Sequence, residues 1–320
     1  MTPASAETTV PAGSTHATPA PDACSVGFDR AEVSAYGTAA RATFFVALEQ
    51  SGPWGRDAAT QSHLPAAVGS SLSAGCAERG GRLSLIRRPG PHADDHHEVG
   101  HTAYLAWAGD GPWLLRLVVT DPATLLDVDL DALARGDRDA VLAATPGAEP
   151  ADPVLLLCTN GRRDVCCAVR GRPVALDAAA RHPGLVWEAS HTGGHRFAPT
   201  GVLLPHGATL ARLDADLCSE LLTLAAADHL PEGVLGPRHD RGRSVLSGPE
   251  QAAESHVRHA ARITDLTALA VTEEDGRYAV RHRDGRSWWV EPERREHADL
   301  PESCGKVPIR VMDWVARCLP

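Results

Sequence analysis

Two histidines and three cysteines stand out because their types and spacing suit metal binding. His191 and His195 flank a Thr-Gly-Gly sequence, and adjacent glycines disfavour a helix, so we expect a turn that brings both imidazoles together. Cys158 lies in an apolar run, and Cys166 and Cys167 follow in the loop after it. Thiol and imidazole groups gathered in this way predict a metal site.

A donor set of two cysteines and two histidines fits more than one metal. It fits tetrahedral zinc, and it equally fits a 2Fe–2S cluster with thiolates on one iron and imidazoles on the other. The spacing from Cys158 to Cys166 or Cys167 is longer than in zinc fingers, and the interleaved cysteine–histidine pairs of Rieske proteins are absent from the sequence. The residues alone predict a metal site without naming the metal.

Apolar runs separated by glycine and proline predict the elements that come before these residues. The order is strand, helix, three strands, helix, with a linker at 145–153. The strands are expected at 42–50, 82–88, 101–108 and 113–119, and the helices at about 63–79 and 129–144.

The same order repeats in the second half and places the cysteines and histidines. We expect strands at 154–160, 185–191, 201–205 and 208–213 and helices at 174–183 and 214–230, the last capped by Asp214 or Asp216. Both halves have the order of a thioredoxin-like unit. In such a unit the reactive edge is the end of the first strand and the loop after it, where Cys158, Cys166 and Cys167 lie.

The last part of the chain has a different pattern. A helix is expected at 250–263, and two Asp-Gly pairs between alternating segments predict a β-meander in which Trp288 or Trp289 lies in a core. The predicted fold is α/β, with two thioredoxin-like βαβββα units in tandem and a small C-terminal α+β module. The predicted divisions are a disordered tail at 1–23, units at 24–148 and 149–238, and the module at 239–320.

The composition limits the compartment and the partners. Of 320 residues, 43% are hydrophobic and 22% charged, as in ordinary globular proteins, and the net charge of -10 disfavours nucleic acid. No apolar run is long enough for a membrane span and no signal peptide is recognisable, so we expect a cytoplasmic protein with reduced cysteines. Arginine far exceeds lysine and alanine is abundant, which is typical of GC-rich bacterial genomes.

Three stretches carry a resemblance to a known family. The segments CTNGRRDVCCAVRGRPV and VWEASHTGGHRFAPTGVLLPHG resemble the sucrase/ferredoxin-like family, and YGTAARATFFVALEQSGPWG resembles its N-terminal signature. The resemblance covers about residues 24–230 and implies a thioredoxin-like ferredoxin with a 2Fe–2S cluster. The implied ligands are Cys158, Cys167, His191 and His195, with Cys166 as the alternative second cysteine, and zinc remains the alternative metal.

The implied function is one-electron transfer with a redox partner that the sequence does not identify. Imidazole ligands in place of two thiolates make a cluster less negative and raise its reduction potential. An imidazole bound through one nitrogen can exchange a proton at the other, so electron transfer is expected to be coupled to protonation. We expect an electron carrier more than a hydrolase, and no sucrase activity, because paired glycosidase carboxylates are not recognisable.

Other readings of the sequence remain open. His97, Glu98 and His101 match the His-Glu-x-x-His motif of zinc proteases, but a loop before it and a strand pattern after it disfavour the required helix. Thiol–disulfide exchange through Cys166 and Cys167 and a purely structural zinc site are the alternatives. The sequence also predicts that three cysteines in apolar contexts are merely small buried residues, namely Cys76, Cys218 and Cys318.

Overall fold

The computed structural model describes residues 18–90 and 100–320, and its largest element is one ten-stranded sheet. The strands are β1 (Phe44–Glu49), β2 (Arg82–Arg87), β3 (His101–Trp107), β4 (Trp113–Val119), β5 (Glu149–Pro150), β6 (Val154–Cys158), β7 (Val186–Ala189), β8 (Gly201–Leu204), β9 (Ala208–Leu210) and β10 (Asp240–Arg243). They lie in the order β10-β9-β8-β6-β7-β2-β1-β3-β4-β5. The predicted strands of both halves are therefore present, and they belong to a single sheet.

The two halves of the sheet have the same pairing pattern. In the first half β1 pairs in parallel with β2 and antiparallel with β3, which pairs antiparallel with β4. In the second half β6 pairs in parallel with β7 and antiparallel with β8, which pairs antiparallel with β9. The antiparallel pairing of β2 with β7, at Ile86↔Ala189 and Arg87↔Glu188, joins the halves. The mixed α/β class is confirmed, and the thioredoxin-like likeness of each half stays a prediction.

Seven α-helices accompany the strands in the described part of the chain. They are α1 (Cys24–Arg30), α2 (Ala66–Glu78), α3 (Leu130–Ala134), α4 (Arg138–Ala144), α5 (Arg172–Arg181), α6 (Ala215–Ala225) and α7 (Gly248–Ala261). Side chains of α2, α3 and α4 pack with alternate residues of β1, β3 and β4 in one core. Side chains of α5 and α6 pack with β6, β8 and β9 in a second core.

A third core lies on the opposite face of the central strands and is shared by both halves. Successive residues of a strand point to opposite faces, so Phe45 and Tyr104 from the first half face away from α2. They pack with Leu156, Trp187 and Val202 from the second half. The rings of Tyr104 and Trp187 meet edge to face at 5.9 Å between centroids. The two halves therefore share buried apolar surface besides the β2–β7 pairing.

Two sequence expectations about the end of the first half are wrong in detail. The single helix expected at 129–144 is two short helices, because Gly136 adopts a left-handed backbone with φ of 73° and ends the first helix. Asp129 and Asp137 each cap one helix by accepting a backbone N–H. The stretch expected to be only a linker contains β5, which pairs with the edge of β4.

The C-terminal part forms a second, four-stranded sheet. Its strands β11 (Leu269–Glu274), β12 (Arg277–His282), β13 (Ser287–Leu300) and β14 (Ile309–Cys318) lie in that order, all antiparallel. This confirms the predicted β-meander. Ala253 and Val257 of α7 pack against its face, where Trp288 is partly buried while Trp289 is exposed. The long β13–β14 hairpin also reaches α1, since Val311 and Leu300 pack with Phe28.

Within residues 18–90 and 100–320 no helix combines the length and the apolar character that a membrane span needs.

Candidate metal centre

The loop after β6 places two cysteines side by side. A single turn of π-helix, Cys167–Gly171, follows this loop and leads directly into α5. The Sγ atoms of Cys158 and Cys167 lie 3.5 Å apart and both side chains are buried. Gly171 permits this approach, because a Cβ there would lie only 2.5 Å from the carbonyl oxygen of Cys158. The local backbone therefore brings the two thiols together.

The spacing of these thiols suits two ligands of one metal ion. Two thiolates bound to one tetrahedral ion through bonds of about 2.3 Å lie about 3.8 Å apart. The hydrogen bond between the two sulfurs, with a contribution from His191, holds the pKa of Cys158 well below its usual value. The same hydrogen bond raises the pKa of Cys167. The two thiols therefore do not ionise independently, and a metal ion bound by both sulfurs would displace their protons.

The two histidines are held by the turn that their spacing predicts. Gly193 and Gly194 both have left-handed backbones, with φ of 80° and 71°, and His195 then begins a short 3₁₀ turn that ends at Phe197. Arg241 donates a hydrogen bond from Nη1 to the carbonyl oxygen of Gly193 at 2.9 Å. A Cβ on Gly194 would lie 2.6 Å from the guanidinium of Arg241. The second glycine is required both by its φ and by the arginine packed against it.

His195 has a ring whose nitrogens both lack hydrogen-bond partners among the described residues. Both nitrogen atoms are buried, and the polar groups near them are Asp164 Oδ2, 3.8 Å from Nε2, and the backbone of Glu302. Burial lowers the pKa of this imidazole, which favours its neutral form. A buried polar group without a partner costs roughly 1–3 kcal/mol, and a neutral imidazole nitrogen is a metal ligand.

Arg241 is a buried cation beside the thiol pair. It is 1% exposed, and its nitrogens donate to Thr38 and to the Gly193 carbonyl, with no carboxylate partner in the described part of the chain. Burial lowers its pKa to about 9, with Arg196 and Arg82 contributing, while Cys158 and Cys167 act in the opposite direction. Negative charge at these thiols therefore stabilises the guanidinium in its charged form.

A second cluster of potential ligands lies next to the first. Cys24 at the start of α1, Cys166 in the loop and Cys304 in the β13–β14 connection surround Asp164, and all four ligand atoms lie within 4.8 Å of one another. Hydrogen bonding with Cys24 lowers the pKa of Cys166 to about 6 and raises that of Cys24. This buried cysteine and aspartate cluster could hold a metal ion.

The sequence-derived candidates divide between these two places. Cys158 and Cys167 are in contact, and His191 interacts with Cys158 and, through space, with His195. Cys166, the alternative ligand, instead has its Sγ 3.6 Å from Cys24 and 3.2 Å from Cys304. The vicinal cysteines therefore have different partners, and all eight cysteines of the chain are free thiols.

Other expectations have mixed outcomes. His97 and Glu98 of the protease-like motif lie outside the described residues, and His101 begins β3, with Nδ1 2.9 Å from the Glu49 carbonyl oxygen. Cys76 and Cys218 are buried in apolar cores as expected. Cys318 is exposed because it ends β14, an edge strand of the small sheet. The prediction that Cys318 is a buried residue is therefore wrong.

The sequence did not reveal four residues that the structure places at these sites. Cys24, Asp164, Cys304 and Arg241 come from distant parts of the chain. The one available signal was the excess of cysteines over the four-ligand set, since Cys24 and Cys304 had no assigned role. Their meeting depends on tertiary packing and leaves no local pattern in the sequence.

Comparison with known proteins agrees with the sequence motifs. The family model described as sucrase/ferredoxin-like matches residues 36–235, so the chain belongs to the sucrase/ferredoxin-like family. The matched segment contains Cys158, Cys167, His191 and His195 and excludes Cys24 and Cys304. No curated protein and no solved structure shows significant similarity to the chain.

Proposed function

We propose that this protein is an electron carrier with a 2Fe–2S cluster that Cys158, Cys167, His191 and His195 would hold. The observation that carries the proposal is a buried thiol pair 3.5 Å apart whose Cys158 interacts with His191. His191 in turn interacts with His195, whose buried ring nitrogens lack hydrogen-bond partners in the described part of the chain. When bound, such a cluster takes up one electron and passes it on.

The chain's own residues would supply binding, charge and proton exchange. The thiolates bind through sulfur, and each imidazole binds through one nitrogen and keeps the other for a proton. Arg241 provides a fixed positive charge that favours added negative charge nearby. Buried side chains around the site exclude water, which strengthens these electrostatic interactions.

The donor set also separates this proposal from the alternatives. Thiol–disulfide exchange through Cys166 and Cys167 needs these sulfurs to react with each other, whereas Cys167 contacts Cys158 and Cys166 contacts Cys24 and Cys304. A structural zinc ion at the same four ligands would use the same geometry without colour or redox chemistry. Spectroscopy therefore distinguishes the two metals.

The test compares three histidine variants purified without air. His191→Cys and His195→Cys are expected to keep iron and to shift the visible spectrum, because a thiolate replaces an imidazole on iron. The matched control is His182→Cys, since His182 lies at the C-terminal end of α5 and contacts Ser219 of α6. Identical spectra for all three variants and the wild type would overturn the ligand assignment.

A further inference from the structure

Three cysteines from separate parts of the chain form a nearly equilateral triangle of sulfur atoms. The Sγ–Sγ distances are 3.6 Å from Cys24 to Cys166, 3.2 Å from Cys166 to Cys304 and 3.6 Å from Cys304 to Cys24. Three thiolates on one tetrahedral ion require separations of about 3.8 Å. The triangle therefore needs only small side-chain movements to receive a single metal ion.

Asp164 supplies the fourth donor, a carboxylate oxygen, that a tetrahedral site needs besides the three sulfurs. Its two carboxylate oxygens each lie 3.8 Å from the Cys24 sulfur. The backbone N–H groups of Cys166 and Cys304 and the Ser303 hydroxyl donate to this carboxylate at 2.8–2.9 Å. Burial would raise the pKa of Asp164, but these donors outweigh burial and lower it. Asp164 is therefore an oriented carboxylate anion.

We propose that Cys24, Cys166, Cys304 and Asp164 form a second metal site that binds one Zn²⁺ ion. Soft thiolates select zinc over magnesium or calcium, and a carboxylate is an accepted fourth zinc ligand. Sulfurs this close together bind one ion, whereas the thiolates of a larger iron–sulfur cluster bind different irons and lie farther apart. Binding releases the thiol protons to solvent, so no oxidant or reductant is needed.

The site shares no ligand with the proposed cluster, and Asp164 Oδ2 lies 3.8 Å from His195 Nε2 between the two. Cys166 and Cys167 are neighbours in sequence, yet each contributes to a different sulfur group. Two of the ligands, Cys24 and Cys304, lie outside the segment that matches the family. The zinc ion would join α1, the loop after β6 and the β13–β14 connection. It would thereby fix the C-terminal hairpin to the part of the chain that forms the large sheet and contains His195.

An ion can reach the site from the surface. Cys304 is only partly buried, and a surface cavity lined by Ala23, Val165, Cys166 and Cys304 opens beside the sulfurs. Because Cys304 lines this cavity and is partly exposed, it is the ligand that we replace in the test. A substitution at a partly exposed loop residue perturbs folding less than one in a core.

The experiment measures zinc per chain in the full-length protein, purified without air and equilibrated with Zn²⁺. Cys304→Ser is expected to hold about one zinc fewer than the wild type. Cys318→Ser is the matched control on the same hairpin and is expected to keep the wild-type zinc content. Iron content and visible spectrum are expected to stay unchanged in both variants, so failure here is distinguishable from failure of the proposed function.

A second measurement covers the case in which the Cys304 variant does not fold. The wild-type protein loaded with ¹¹³Cd²⁺ is expected to give an NMR resonance in the range for three sulfurs and one oxygen, still present in His191→Ala. Equal zinc in the wild type and folded Cys304→Ser would overturn the proposal. A disulfide between any two of the three cysteines in the protein purified without air would also overturn it, as would loss of the resonance in His191→Ala.

Discussion

At the scale of single residues, the neighbouring cysteines Cys166 and Cys167 show how one peptide serves two sites. Where the helix begins after Asp164, consecutive side chains point in directions about 100° apart, so the two sulfurs diverge. Cys167 meets Cys158, and Cys166 meets Cys24 and Cys304. The resemblance to the family implied Cys167 as a ligand. The partners of Cys166 could not be predicted, because Cys24 and Cys304 are 142 and 138 residues away.

Arg241 is expected to tune the reduction potential. Replacement by methionine removes a buried positive charge near Cys158 and Cys167, which destabilises the more negative reduced state. The midpoint potential should fall by on the order of 60 mV, the one-electron equivalent of about 1.4 kcal/mol. Redox titration followed by visible absorbance measures this change.

Two matched variants separate charge from packing in that experiment. Arg241→Lys keeps the charge and should retain most of the wild-type potential. Arg181→Met removes an exposed arginine that pairs with Asp216 and should leave the potential unchanged. A potential in Arg241→Met equal to that of Arg181→Met would contradict the electrostatic role.

Proton exchange at the histidines predicts a potential that depends on pH. Reduction adds negative charge, which raises the pKa of an imidazole ligand, so the reduced state binds a proton more tightly. The midpoint potential is therefore expected to fall as pH rises between about pH 6 and 10. Titrations at several pH values measure the slope, and a constant potential over this window would exclude the coupling.

At the scale of elements, the sequence was most informative where apolar runs and turn residues coincide. The strands of both halves and the Asp-Gly turns of the β-meander were predictable because their period and turn chemistry are local. The division between α3 and α4 did have a local signal, since Gly136 can end one helix and Asp137 can cap the next, but a single helix was predicted there. The π-helical turn at Cys167–Gly171 has no sequence signal in one chain, since it results from packing against β6.

The Gly-Gly turn offers a direct test of how an element positions ligands. Gly194→Ala forces a left-handed backbone on alanine and places its Cβ against Arg241. The left-handed backbone alone costs roughly 1–2 kcal/mol. The contact with Arg241 adds to that cost, so the melting temperature and the iron content should both fall.

Gly184→Ala is the matched control for the backbone cost. Gly184 has φ of 82°, and a Cβ there would meet nothing within 4 Å. This variant should lose stability only through its backbone and should keep its iron. Equal losses of iron in the two variants would show that the Arg241 contact does not hold the turn.

At the scale of the whole molecule, long-range pairing decided what the sequence could not predict. The halves were readable as repeats, but the β2–β7 pairing that makes one sheet consists of two residue pairs about a hundred positions apart. The positions in space of β10 and α7, which connect the large sheet to the small one, also could not be predicted from the sequence. There Asp240 is buried, accepts a hydrogen bond from the backbone N–H of Gly242 and lies near Glu254 and Arg258.

Burial of Asp240 is expected to make the stability of the folded protein depend on pH. Burial raises its pKa to about 6 in the folded protein, from 3.8 when exposed. The folded state therefore binds the proton more tightly, and this residue's contribution to stability falls as pH rises from about 4 to about 6. Asp240→Asn removes the dependence and should be more stable at pH 7 by on the order of 1–3 kcal/mol.

Chemical denaturation of the wild type and Asp240→Asn at several pH values measures the difference. The gap in free energy of unfolding should shrink as pH falls from about 6 to about 4 and level off below about 4, where Asp240 is protonated in both states. A gap that is constant from pH 4 to pH 7 would contradict burial of the charged carboxylate as its cause.

The central claim is that Cys158, Cys167, His191 and His195 hold a 2Fe–2S cluster, and metal analysis tests it most directly. Protein purified without air is analysed for iron, acid-labile sulfide and zinc, and its visible spectrum is recorded. We expect coloured protein with about two irons and two sulfides per chain. Colourless protein with zinc at these four ligands would contradict the claim and leave a structural metal site.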